Sequence, residues 1–452
     1  MATKAGPNFR AGDSNPFSVV ELDGAYALGD QRLTATSTAE NHLWGDVNGV
    51  LGGVMTGGND TLIGAARAGE DSYWISRGYG PADVSGGGFI ANVLVGDAGG
   101  LLEGAIGGND SITGGRDASN ALYGDAGAFL WDDALGGNDS LVGGAFTASF
   151  LGAGGMQQSA RNTMFGDAQD LHDRATGGAD RLVGGNGASN SMVGDGVLHD
   201  SSHGGNDTLI GGNAVAGGLN VNSMFGDGLT VADATNQNHA VGGNDSLVGG
   251  NSNGAAIEVN TMVGDGNMVF NAKGGNDVLR GGTGAVNFLF GDDLRLHDNA
   301  VGGNDRLYAG VGSTSLGADA WGVGGRSAMF GDGYALDGHA VAGNDTLVSA
   351  AHTDDVMYGD ALEISANAMR GHNVFVFALG NGNDEIRDFV QGNDRIDLRA
   401  FGNPGLPYDV THNALGLTIT SEAGSSTIHF SGFNSIKVNN VAALVASDFL
   451  FA

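Results

Sequence analysis

Residues 241–251 read VGGNDSLVGGN, a phrase more than half glycine and asparagine that still holds one aspartate, Asp245, and one leucine, Leu247, at fixed places. The chain writes it nine times. Its aspartate recurs at Asp60, Asp110, Asp139, Asp180, Asp207, Asp245, Asp277, Asp305 and Asp345, each preceded by Gly-Gly-Asn or a close variant and followed two residues on by Leu or Ile. A second phrase, such as NSMVGDG at 190–196, alternates with the first. Its aspartate falls at Asp46, Asp97, Asp125, Asp167, Asp195, Asp227, Asp265, Asp292, Asp332 and Asp360.

Spacing turns the two phrases into an architecture. The interval from Met164 to Leu182 equals that from Leu289 to Leu307, and the step from Leu182 on to Met192 is shorter. The most compact full repeat therefore runs only from Met164 to Met192, or from Leu182 to Leu209, close to three nonapeptides in length. Longer repeats carry insertions near 65–91, 145–161, 213–221, 251–259 and 311–326, always after the Gly-Gly-Asn-Asp phrase. Insertions confined to one phase are loops on a regular scaffold. A lone apolar residue in a short segment suits a brief strand with one side chain inward, and paired glycines permit turns of positive φ. One such unit cannot bury its leucine, but stacked coils set Leu on Leu about 4.8 Å apart and pair every backbone group with the next coil. The expected fold is therefore all-β, a parallel β-roll or β-helix solenoid. Whether one repeat makes one large coil or one and a half small ones stays open, and the second arrangement would put equivalent phrases on alternating faces.

Composition narrows the chemistry. The 452 residues include 85 glycines and 51 acidic residues, eight of them Glu and the other 43 Asp, against three Lys, and the formal net charge is −32. Such a chain repels nucleic acid and anionic membrane and invites cations. There is no cysteine, so disulfides and thiolate metal sites are ruled out. The first twenty residues lack the apolar core of a signal peptide, and no apolar run approaches the length of a membrane helix.

Ordering glycine-rich turns is entropically costly, and the thin core needs help to offset that cost. Calcium takes six to eight oxygens, which glycine turns with free carbonyls and a nearby Asp carboxylate could supply. Asp and Asn also make Asx turns without any metal, but nine copies in phase in so acidic a chain favour calcium. On these residues the chain resembles the calcium-binding GGxGxDxUx nonapeptide repeats of RTX proteins over roughly residues 42–398. The match is nearest in GNGNDEI, Gly380 to Ile386, which adds Asp384 to the expected ligands. The later Gly-Asn-Asp turn adds Asp394. The usual phrase here departs from the family pattern, because the first glycine pair is replaced, as in HAVGGNDSL at 239–247. The resemblance implies multiple bound calcium ions, held first by the aspartates of the Gly-Gly-Asn-Asp phrase and second by those of the Gly-Asp phrase.

Three regions follow: an N-terminal arm or cap at 1–41, repeats with inserted loops at 42–370, and a small β-rich C-terminal cap at 371–452. The stretch NVFVFALGNGNDEIRDFVQGNDRIDLRAFG is similar to the segment that closes the β-roll of secreted serralysin-type metalloproteases. LGLTIT and STIHF alternate like antiparallel strands, and the end, DFLFA, is either an edge strand or the uncleaved C-terminal signal that type I secretion machinery reads in exported RTX proteins. On that resemblance the protein is secreted, unfolded in calcium-poor cytosol and folded by extracellular calcium. About a dozen ions would cancel on the order of 24 of its 32 negative charges.

Catalysis finds little purchase. There is no HExxH, no GxSxG and no phosphate loop. His199 and His203 in HDSSH lack a catalytic Glu, and the Leu-His-Asp triplets at 171–173, 198–200 and 296–298 read as one exposed edge of successive repeats. The insertion with Asp71, Tyr73, Trp74, Arg77 and Tyr79 could bind a sugar, as in a β-helix polysaccharide lyase or hydrolase, or could cover the roll. The leading expectation is a non-enzymatic, secreted structural protein that self-associates into a surface layer, matrix or filament. A monomeric adhesin or glycan-binding module at a cell surface is the alternative.

Overall fold

A computed structural model describes residues 20–23, 28–35, 41–53, 55–66, 91–146, 160–215, 219–228, 239–253, 256–266, 268, 270–312, 327–401, 417–430 and 434–451. These residues build long parallel sheets of very short strands, and the chain is an all-β solenoid. It divides into two compact units, Met1–Asn213 with Asn220–Ser223, and Ala214–Leu219 with Met224–Ala452.

One coil of the first unit shows the construction. Arg181–Val183 runs along a first face with Leu182 inward, and after Gly184 and Gly185 the chain follows a second face as Ser189–Val193 with Asn190 and Met192 inward. Gly194 and Asp195 turn it onto a third face at Val197–Leu198. His203 then makes a single parallel bridge to Thr176, and Gly-Gly-Asn-Asp at 204–207 returns the chain to the first face at Thr208–Ile210. Leu209 pairs with Leu182. One repeat therefore makes one large coil, and equivalent phrases stack on the same face.

The register follows from the apolar pattern, since a one-residue slip would turn every inward leucine outward. On the first face Leu33, Leu62, Ile112, Leu141, Leu182 and Leu209 line up in the first unit, and Leu247, Leu279, Leu307, Leu347, Phe375 and Ile396 in the second, all buried. Like residues also stack outside the coil. Phe290, Phe330 and Tyr358 lie nearly parallel with ring centroids 4.7 and 4.8 Å apart, one coil between each pair.

The paired glycines do a different job from the one expected. Among the described residues, none in the Gly-Gly-Asn-Asp phrase has positive φ. They are glycine because the next coil comes too close for a side chain: a Cβ on Gly137 would stand 1.5 Å from the carbonyl oxygen of Gly108. Positive φ falls instead on the turn after the third face, at Asp132, Asp173, Asp200 and Asp298, where Asp tolerates the left-handed conformation. That places the Leu-His-Asp triplets: Leu171, Leu198 and Leu296 are buried, and the Asp of each makes the turn.

Coils begin before residue 42. Val20–Asp23 pairs in parallel with Val47–Gly52, and Arg32–Thr34 with Thr61–Ile63. At the other end the first face continues past 371 through Val374–Val376 and Arg395–Asp397. Ser435–Val438 joins Asn383–Ile386 in parallel, and Ser425–His429 and Thr418–Glu422 add the antiparallel strands expected of a cap. Phe449–Leu450, within the terminal DFLFA, docks beside Arg395–Asp397 with Phe449 buried.

Candidate metal centre

The parallel register carries the aspartates of the first phrase into a column. The backbone N–H of Asp110 donates to Oδ1 of Asp139 at 2.6 Å, that of Asp139 to Asp180 at 2.6 Å and that of Asp180 to Asp207 at 2.7 Å. The second unit repeats the pattern from Asp245 to Asp277 at 2.6 Å, from Asp277 to Asp305 at 2.7 Å and from Asp305 to Asp345 at 2.8 Å. In Asp60, Asp110, Asp139, Asp180, Asp277, Asp305 and Asp345, Oδ1 is held by the neighbouring coil while Oδ2 is buried with no hydrogen-bond partner.

The second phrase makes a second column. Here one carboxylate oxygen accepts from the second glycine of the following Gly-Gly-Asn-Asp phrase: Gly108 to Asp97 at 2.7 Å, Gly137 to Asp125 at 2.8 Å, Gly178 to Asp167 at 2.9 Å and Gly205 to Asp195 at 2.8 Å. In the second unit Gly243 serves Asp227, Gly275 serves Asp265, Gly303 serves Asp292 and Gly343 serves Asp332. The remaining oxygens of Asp46, Asp97, Asp125, Asp167, Asp265, Asp292 and Asp332 are buried without a partner.

The two columns meet. Ligand oxygens of Asp46, Asp60 and Asp97, of Asp97, Asp110 and Asp125, of Asp125, Asp139 and Asp167, and of Asp167, Asp180 and Asp195 each fall within 4.8 Å of one another. The coil is thus pinched at two corners, with the leucine and methionine core on one side. On the other lies a smaller apolar cluster, represented in the second unit by Met268, Leu296, Ala300, Leu336 and Ala340. Glycine keeps the space between the columns open. A Cβ on Gly124 would lie 1.9 Å from Oδ2 of Asp139 and 1.6 Å from the carbonyl oxygen of Gly166, so a carboxylate and a backbone oxygen face the same small volume.

A buried carboxylate without a counter-charge resists ionisation. Burial, then repulsion from Asp46, pushes Asp60 up to about 7. Burial likewise takes Asp110 to about 8 and Asp292 to about 7. Asp125, Asp139, Asp180, Asp265, Asp277, Asp305, Asp332 and Asp345 are pushed well above the usual carboxylate range by burial first and neighbouring aspartates second. Unpartnered oxygens, a glycine-walled space and an all-oxygen donor set fit a hard divalent cation of calcium's type.

Of the two C-terminal ligands expected from sequence, one, Asp394, continues the first column, since the N–H of Asn373 donates to it as that of Asp345 donates to Asn373. Asp384 does not extend either column: its Oδ1 accepts from the N–H of Asp355, and Asn381 donates to its Oδ2. Asp394 has both oxygens taken, by the N–H of Asn373 at 2.9 Å and of Val390 at 2.7 Å. Asp360 lies in the second column, but Arg370 Nη1 stands 3.1 Å from its Oδ2, while Gly371 and the amide of Asn373 donate to its Oδ1. The segment Arg370-Gly-His-Asn373 occupies the place of Gly-Gly-Asn-Asp, as the bridge from Val341 to the preceding Met369 fixes. It is a degenerate tenth copy. Asp388, which the repeat pattern did not single out, also faces Arg370 at 3.8 Å and is pushed up to about 7 by burial.

A third column was missed. Five residues before most of the Gly-Asp aspartates stands an asparagine, and these stack inside the coil: Asn41 to Asn92 at 3.0 Å, Asn92 to Asn120 and Asn120 to Asn162 at 2.8 Å, Asn162 to Asn190 at 2.7 Å. Asn120, Asn162 and Asn190 also clamp a glycine turn, Asn190 by accepting from Gly185 N–H at 2.9 Å and donating to Gly185 O at 3.1 Å, and Asn92 clamps Ala65 in the same way. The constant offset was present in the sequence and could have revealed it. His199 does not pair with His203, which lies in the bridge row; it meets Asp170 and His172. Asp71, Tyr73, Trp74, Arg77 and Tyr79 lie outside the described residues.

No protein-family model matches the chain, and no curated protein is significantly similar to it. Among the described residues no helix is long and apolar enough to cross a membrane.

Proposed function

We propose that the protein is an exported calcium-binding solenoid of RTX type, in which calcium between the two aspartate columns drives folding, and that its role is structural. The observation that carries this reading is the row of buried carboxylate oxygens without partners, repeated coil after coil and walled by glycine. Each repeat brings one aspartate to each column, a charge of −2, so one calcium ion per repeat leaves it neutral. Nine Gly-Gly-Asn-Asp copies then bind about nine ions. In calcium-poor cytosol the columns repel and the chain stays extended, a form suited to type I secretion. Millimolar calcium outside folds it. Folded copies are proposed to associate into a surface layer, matrix or filament.

The test is a calcium titration of chelated, full-length chain, followed by circular dichroism, by calorimetry for the ion count and by light scattering. Cooperative gain of β-structure with about nine ions bound is expected, followed by growth in particle size. Asp180→Asn should lower the count by one and raise the calcium midpoint. Full β-structure at neutral pH in chelator would overturn the calcium reading, and a stable monomer in millimolar calcium would overturn the assembly reading.

A further inference from the structure

The outer side of the third face in the first unit carries a cluster that the carboxylate columns do not use. Leu130, Leu171 and Leu198 are in register, so the next residues, Trp131, His172 and His199, stack outside the coil. Backbone bonds hold this row: His172 N–H donates to Leu130 O at 3.0 Å and His199 N–H to Leu171 O at 2.8 Å. Asp170, two residues before His172 with buried Leu171 between them, points to the same side as the histidine. The imidazole rings of His172 and His199 lie parallel, 4.2 Å apart, and Nε2 of His199 is 3.2 Å from Oδ1 of Asp170.

We propose that Asp170, His172 and His199 form a binding site for a divalent transition ion of zinc's class, distinct from the calcium columns. One ligand atom from each lies within 4.8 Å of the others, on or next to paired parallel strands and partly open to solvent. Tetrahedral zinc with bonds near 2.0–2.1 Å needs adjacent ligand atoms about 3.3 Å apart, which the Asp170–His199 pair already meets. The third ligand needs one movement. In the parallel stack an ion cannot lie in both ring planes, so His172 turns about its χ2, a broad and soft torsion. Asp200 Oδ2, 3.8 Å from His172 Nδ1, stands where an outer carboxylate orients a ligating imidazole. Two imidazoles and one carboxylate select a transition ion over calcium, and the fourth position is left to water.

The second unit holds the contrasting version. There Leu296 pairs with Leu336, which sets His297 beside Asp337, but Arg295 Nε lies 3.3 Å from the same Asp337 oxygen that His297 Nδ1 approaches at 3.5 Å. A guanidinium takes the place where an ion would sit.

The experiment is a zinc titration of the full chain in millimolar calcium, which keeps the oxygen sites saturated, followed by calorimetry and by histidine ring NMR signals, with cobalt(II) as a spectroscopic probe. We expect one zinc equivalent, shifts confined to His172 and His199, and cobalt bands typical of low coordination with nitrogen ligands. His172→Gln, His199→Gln and Asp170→Asn should each weaken zinc at least tenfold with calcium content and circular dichroism unchanged, while His297→Gln leaves zinc binding as it was. Absence of saturable zinc binding, or binding that survives His199→Gln, would mean an ion pair and ring stack only and would overturn the site. Either outcome leaves the calcium reading untouched.

Discussion

The rung of Asp167, Asp180 and Asp195 and the rung of Asp360, Asn373 and Asp388 occupy equivalent corners of their coils, yet only one of them carries its own cation. In the interior rung Asp167 and Asp180 each keep a buried oxygen with no partner. In the C-terminal rung Asn replaces one Asp, and an arginine replaces the first glycine of the phrase, reaching Asp360 at 3.1 Å and Asp388 at 3.8 Å. In the interior coils a side chain there would run into the carboxylates, since a Cβ on Gly136 would be 1.9 Å from Asp167 Oδ1; the ninth copy, the one beside Asp360, already carries Ala342. The same point in the coil thus holds either space or a guanidinium. Where the sequence writes glycine, calcium is proposed to supply the positive charge that Arg370 supplies at the C-terminal rung.

The widest test of this contrast is acid in place of calcium. The interior carboxylates have folded-state values raised by burial, to about 7 for Asp60 and about 8 for Asp110. A raised value means the folded chain holds protons that the unfolded chain, near 4, releases, so their contribution is full below about pH 4 and is lost as pH climbs through 7 to 8. In chelator the chain should therefore gain β-structure on acidification to about pH 4–5 and lose it by pH 8. Calcium should reverse this dependence. Circular dichroism across pH with and without calcium checks it, and a chelated chain equally folded at pH 8 would break the contrast.

A smaller effect is expected at the C-terminal rung itself. Arg370→Met strands Asp360 and Asp388 and should destabilise the second unit by about 2 kcal/mol, the partial exposure of the arginine reducing the cost of a fully buried pair. It should also steepen the calcium dependence of that unit, because the rung now lacks its built-in cation. Calcium-dependent thermal unfolding separates the two effects. Smallest and most local is Asn190→Ala, which frees the backbone of Gly185 and takes one of two acceptors from the Asn162 amide, at a cost of about 1 kcal/mol. The ion count by calorimetry should not change, since the asparagine column clamps turns away from the carboxylates.

Much of this was legible in the chain. The period, the inward leucines and the phase of the insertions follow from spacing alone, because very short strands with one apolar member leave little else for Leu182 and Leu209 to do. Both aspartate columns were visible as two phased series. The coil size was not, since one repeat fits one large or one and a half small coils until the pairing of Leu182 with Leu209 decides it. The asparagine column is easy to overlook because asparagine near glycine reads as a turn residue, and its fixed place five residues before the Gly-Asp aspartate is what sets the buried Asn190 apart from the exposed Asn138. Arg370 escaped because RGHN keeps one of the four letters of GGND at its own place. Asp384 shows the opposite case: its local sequence is the nearest match to the family phrase, but strand pairing sets it opposite Asp355 and outside the two columns.

Because one repeat closes one coil, such a chain can change length by whole coils. A duplicated repeat arrives with both its aspartates, its share of backbone pairing, its rung of leucine and, on the proposed reading, a place for its own calcium ion. It adds no unbalanced electrostatic load and breaks no register above or below. Deleting such a segment is equally silent. The number of coils is then free to vary, whereas the rung of Arg370, written once in the sequence, cannot be copied or lost without changing the charge balance of its own corner.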